Sequence, residues 1–180
     1  MKRFTPYNLL ALIILVTVAI VLQECIHPIY FGQAKPQFLT AIVIYYAWTF
    51  PKKVSLSVTF ACGLIYYGLG SLPWGVSILL MMGVWLFCVR FGKDQLPDTW
   101  VACIVLGIVV APILTWLEYA TLRMAKTVPE LRWWFLLSRT TWSILLAGPV
   151  CAAVALSARM MNRWAKEGYD ATRETSRYLG

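Results

Sequence analysis

Long apolar runs with almost no charge inside them dominate this sequence. No Asp, Glu, Lys, Arg or His interrupts Leu9–Leu22, Phe38–Phe50 or Val54–Val89, and short polar or Pro- and Gly-bearing stretches separate the runs. A water-soluble domain carries about 25% charged residues and about 45–50% apolar ones. This 180-residue chain is 13% charged and 60% hydrophobic, with a mean hydropathy of +0.69. A soluble domain of that length needs a polar shell, and there are too few polar residues to build it. An ordinary soluble enzyme, a disordered tail and a disulfide-framed secreted module are therefore excluded. Lipid is the solvent this sequence suits.

Since a span takes about 20 residues, six fit with short connections. The expected fold is an all-α membrane protein, a six-transmembrane-helix bundle over residues 1–158. Its spans run roughly over Tyr7–Leu22, Gln37–Phe50, Val54–Leu69, Trp74–Phe91, Thr99–Leu122 and Trp133–Ala158. Pro51-Lys52-Lys53 closes the second span, and Gly68, Gly70 and Pro73 mark a tight turn after the third. Pro112 and Pro149 fall inside spans, where neighbouring helices tolerate a kink. Met1-Lys2-Arg3 before an apolar run resembles a secretory signal, but Gln23-Glu24-Cys25-Ile26 offers no small-residue cleavage site. The run reads as a retained first span. Residues 159–180 read as a cytoplasmic basic tail.

Orientation follows from the sorting of Lys and Arg between alternate loops. With both termini cytoplasmic, 11 of the 16 basic residues fall inside, among them Lys52, Lys53, Arg90, Arg159 and Arg163. Five fall outside: Lys35, Arg123, Lys126, Arg132 and Arg139. Tryptophan favours the interfaces; Trp48, Trp100 and Trp164 mark the inner belt, and Trp74, Trp116, Trp133 and Trp134 the outer. The net charge of +8 is thus a topological signal, not a nucleic-acid one. The expected location is a bacterial cytoplasmic (inner) membrane, crossed several times.

Ionisable groups at mid-bilayer mark pumps and intramembrane enzymes, and none lies near the centre of any expected span. Glu118 and Arg139 come closest, both toward the outer side. They either pair or line an outward pocket, with Tyr66 and Tyr67 as further candidates, or they snorkel to the interface. His27 has only Glu24 and Cys25 beside it, a spacing too compressed for a tetrahedral metal site. The five cysteines (Cys25, Cys62, Cys88, Cys103, Cys151) show no CxxC spacing and read as packing residues. Ser71 has no triad partner and no GxSxG surrounds it. No catalytic residue, metal site or cofactor is expected. A binding or scaffold protein is favoured over an enzyme.

Packing signals are stronger. Helices in lipid associate where small residues let backbones approach. Cys103, Gly107, Ala111 and Thr115 form such a stripe at four-residue steps in the fifth span; Ser143, Ala147, Cys151 and Ala155 form another in the sixth. Each is either an internal packing surface or a contact for a partner's transmembrane helix. The basic tail reads as a solvated helical extension or a docking site, and anionic lipid headgroups favour it in either case.

Pro36 ahead of the second span, Pro51 with Lys52-Lys53 after it, Gly63, and the turn Gly70-Ser71-Leu72-Pro73-Trp74-Gly75 together resemble the MreD family. This is the small membrane subunit of the bacterial rod-shape system, or elongasome. The resemblance covers roughly Pro36–Phe91, with looser agreement at Trp116-x-Glu118. One departure stands out: the family's acidic residue falls at about Tyr67 here. The resemblance implies a six-helix fold similar to the substrate-binding components of energy-coupling-factor transporters. It also implies a non-enzymatic role in cell-wall elongation and cell shape. The implied partners are a single-span MreC-like protein, the RodA–class B penicillin-binding-protein complex that makes peptidoglycan, and MreB indirectly. The alternative is a vitamin-type binding subunit of such a transporter. Those subunits often dock through Ala-xxx-Ala on the first span, whereas Ala11 and Ala19 here have Leu15 between them.

Overall fold

The computed structural model describes residues 5–26, 34–69, 75–91, 99–124 and 133–178. Among these the chain forms six α-helices and no strand. They are α1 (Pro6–Cys25), α2 (Phe38–Thr49), α3 (Lys52–Leu69), α4 (Val76–Phe91), α5 (Thr99–Met124) and α6 (Trp133–Tyr178).

Local chemistry sets the boundaries. Thr5 caps α1 by accepting the Asn8 N–H at 3.4 Å, and Pro6 sits in the first turn, where a missing N–H costs nothing. Phe50 is extended because Pro51 disfavours a helical residue before it, so α2 stops there and α3 starts two residues later. Gly75 precedes α4 at φ +88°, a left-handed conformation that glycine adopts without strain.

The organising element is α2. Every residue from Phe38 to Ala47 is buried, and all five other helices pack around it. A helix that is apolar on every side is stable only when surrounded. Its 12 residues reach about 18 Å at 1.5 Å per residue, short of the roughly 30 Å hydrocarbon core of a bilayer. The five surrounding helices cover it from Phe38 to Ala47, and Gln37, Trp48 and Thr49 at its ends are half-buried. Tyr46 stacks on Phe50 with ring centroids 4.9 Å apart, which packs the terminus of α2. Thr40 reaches Met81 of α4 at 4.0 Å, and Tyr45 accepts from Asn162 of α6 at 3.3 Å.

Cross-helix bonds fix the directions. Trp85 Nε1 donates to Ser55 Oγ at 2.9 Å, joining the end of α4 to the start of α3. Glu24 at the end of α1 pairs with Lys35 before α2 at 3.5 Å. Tyr45 with Asn162 joins the end of α2 to the far part of α6. The helices therefore alternate in direction, and Pro6 lies at the same end of the bundle as the C-terminal part of α6.

Most expected boundaries agree with these helices to within three residues. The exception is α6, which does not stop near Ala158 but continues to Tyr178, 46 residues in all. Bundle packing continues with it, because Ala158 and Ala165 are both buried. Three stretches are long and apolar enough to cross a membrane: Pro6–Cys25, Trp100–Met124 and Trp133–Glu167. Phe38–Thr49 and Val76–Arg90 are shorter apolar helices, and α3 opens on two lysines. Large apolar side chains cover the outside, including Leu10, Ile13 and Val18 of α1 and Leu79 and Leu86 of α4.

Gly107 lets α5 lie close against α6. A Cβ on Gly107 would collide with Cys151 Sγ and lie 3.3 Å from Cys151 Cβ. Overpacking of this kind costs about 1–3 kcal/mol. Gly107→Val should therefore lower the thermal midpoint of the detergent-purified protein. Gly107→Ala should recover when combined with Cys151→Ala. Gly83→Ala, with no atom within 4 Å, should be neutral or stabilising by up to about 1 kcal/mol.

Candidate functional site

Three helices bring one charged cluster together at the end of the bundle where α5 finishes and α6 begins. Glu118 on α5 is 6% exposed. Its Oε2 lies 3.1 Å from Arg139 Nη2 on α6, and its Oε1 accepts a hydrogen bond from the Tyr66 hydroxyl on α3. Each carboxylate oxygen thus has its own partner. A buried carboxylate without such partners is strongly penalised, so the cluster forms as a unit. The Arg139 side chain remains 21% exposed and the Glu118 side chain 8%. The Arg139 side chain is thus partly open to the surface while the Glu118 side chain is buried.

Hydrogen bonds continue one turn deeper. Ser143 donates to the Arg139 carbonyl at 2.8 Å. Thr115 Oγ1 sits 2.9 Å from the Ala111 carbonyl and 3.0 Å from Ser143 Oγ, linking α5 and α6 again. Thr121 donates to the Glu118 carbonyl at 2.8 Å and steadies the last turn of α5. In chemical terms the arrangement is a fixed ion pair with a phenol donor, tying three helices at one level.

Of the four candidate pocket residues, the structure joins Tyr66, Glu118 and Arg139. Tyr67 lies apart at 39% exposure, because the next residue on a helix points about 100° away. Of the eight small-residue positions, Cys103, Gly107, Ala111, Thr115, Ser143, Cys151 and Ala155 are buried, and Ala147 is half-buried. They face each other and α2 within the bundle. Between α2, α5 and α6 runs a narrow cleft with Lys35, Gln37 and Thr40 in its polar lining and Ala111, Ala147 and Cys151 deeper in. It measures about 10 Å³, space for about one water.

Pro36 is buried at the entry to α2, and Pro51 separates α2 from α3. Gly63 permits α3 to touch α4, since a Cβ there would lie 2.9 Å from the Ile78 Cα. Gly75 opens α4, as described. Gly70, Ser71 and His27 lie outside the described residues.

Several polar positions were not singled out from the sequence. Asn8 and Gln23 are buried on the inward face of α1 together with Ala11, Leu15 and Ala19. A spacing of three and four residues was the available signal. The Ser55–Trp85 and Tyr45–Asn162 bonds carry no local sequence signature, because each joins residues far apart in the chain.

Removing one partner of a buried ion pair costs about 3–5 kcal/mol, at the lower end where one side chain reaches solvent. Glu118→Ala should cost most, since it leaves Arg139 and Tyr66 unpaired. Tyr66→Phe should cost about 1.5–3 kcal/mol, the worth of a hydrogen bond to a charged group. A double-mutant cycle on Glu118 and Arg139, read by thermal unfolding in detergent, should show losses that do not add.

Comparison with protein families identifies the rod shape-determining protein MreD model, which matches residues 2–154. Comparison with curated proteins and with solved structures returns no match. The matched region takes in α1 to α5 and the part of α6 that carries Arg139, Ser143 and Cys151. This chain belongs to the MreD family, membrane proteins with a role in rod-shape determination.

Proposed function

We propose that this protein is a non-enzymatic integral membrane scaffold of the cell-wall elongation complex. In this reading it binds a single-span MreC-like partner. It supports peptidoglycan synthesis by RodA and its class B penicillin-binding protein, with MreB acting indirectly. The observation that carries the reading is the family match over residues 2–154. In this reading the six helices form one bundle in the bacterial inner membrane over residues 1–158, with the short α2 enclosed by the other five and both termini in the cytoplasm. The alternating helix directions and the exposed Lys52, Lys53, Arg90 and Arg159 at one end support that orientation.

The geometry suits a holding role. Glu118 has both oxygens engaged by neighbouring side chains, so the cluster braces helices. The small-residue stripes are taken up by packing inside the bundle, which leaves the outward apolar faces of the helices for a partner's span. In the vitamin-binding alternative, α1 would dock through its alanines, yet Ala11 and Ala19 are buried against the bundle.

Affinity purification of the tagged protein from its native membrane tests the proposal. A single-span MreC-like protein should co-purify, and depletion should turn rod-shaped cells round. Recovery of a transporter energising module in its place would contradict it.

A further inference from the structure

The part of α6 beyond Leu156 carries two side-by-side stripes. Leu156, Met160 and Trp164 recur every fourth residue and are 53%, 56% and 67% exposed. Beside them, Arg159, Arg163 and Lys166 occupy positions spaced by four and three, and all three are exposed. The opposite face is already occupied: Ala158 and Ala165 are buried, and Asn162 bonds to Tyr45 of α2. Rotation of this segment is therefore fixed by the bundle, and both stripes face away from it. Glu167 is exposed near the end of the same surface.

Depth follows from helix geometry. Trp133 and Trp134, 59% and 86% exposed, stand at the other end of α6. At 1.5 Å per residue, Trp164 lies about 46 Å along the axis from Trp133. A typical tilt of about 20° reduces this to about 44 Å across the membrane, where a bilayer with its headgroups measures about 40–45 Å. Trp164 thus falls in the far headgroup layer, the depth that amphipathic rings favour. The Tyr45–Asn162 bond sets the end of α2 beside this segment, so the exposed Lys52 and Lys53 that follow α2 share that end of the bundle. Exposed Arg90 closes α4 on the same side.

We propose that this face of α6 is a docking surface for anionic phospholipid headgroups. Met160 and Trp164 seat between the upper acyl chains and headgroups, while Arg159, Arg163 and Lys166 engage the lipid phosphates. Continuity of the apolar row with Leu156 and the local excess of cations favour lipid over an acidic protein. The inference rests on α6 crossing a bilayer and not on the identity of the protein partner. Failure of the partner purification therefore leaves it standing, and its own failure leaves that reading intact.

The test uses the full chain in nanodiscs of phosphatidylcholine, with or without phosphatidylglycerol of the same acyl composition. Retained lipid is counted by native mass spectrometry, and the thermal midpoint is followed in parallel. The wild type should retain phosphatidylglycerol and melt higher in its presence. R159Q/R163Q/K166Q should lose both effects while melting like the wild type in phosphatidylcholine alone. Retention by the wild type should also fall in about 1 M salt, where screening acts within about 3 Å. Equal retention by the triple variant, or retention indifferent to salt, would overturn the proposal.

Discussion

Everything in this fold depends on surrounding α2. It has no exposed face from Phe38 to Ala47, and it is too short to reach across a bilayer unaided. In lipid there is no hydrophobic force to drive helices together, so the enclosure must come from close packing and a few polar ties. The glycines and small residues supply the first: Gly63 against Ile78, Gly107 against Cys151. Polar ties supply the second, and each joins a different pair of helices. Ser55–Trp85 holds α3 to α4, Tyr45–Asn162 holds α2 to α6, and Thr115–Ser143 holds α5 to α6.

The Tyr66–Glu118–Arg139 cluster differs from these ties in carrying charge. A carboxylate 6% exposed is an expensive group to keep inside a membrane protein. Its cost is offset only while both partners stay in place, which makes the local arrangement of α3, α5 and α6 unusually specific. The cluster lies toward one end of the bundle, where Arg139 retains access to the surface.

Much of the architecture was legible in the sequence. Uncharged runs and their Pro and Gly breaks located all six helices, and Pro51 separated α2 from α3. The proximity of Glu118 and Arg139 was foreseeable as one of two alternatives, because each lies near the same end of its helix. The difference between Tyr66 and Tyr67 was not legible, since it depends on the rotation of α3 about its axis. The burial of α2 was hidden for a related reason: an all-apolar helix looks the same whether lipid or protein surrounds it. A helical extension past Ala158 was one of the two readings of the tail, but its alternating charges gave no sign that it packs against the bundle. Only contact with the bundle, at Asn162 and Ala165, shows that packing continues past Ala158.

The central claim is that this chain acts in rod-shape determination through a fixed helical framework, with its buried charges as structural ties. The most direct measurement is cell shape in a depletion strain complemented with Y66F/E118L/R139M, which replaces the whole cluster by apolar groups. A buried ionic tie removed as a unit costs little when side chains of similar volume fill its place, so the triple variant should restore rods where E118L alone does not. Round cells despite normal membrane abundance of the triple variant would contradict the claim.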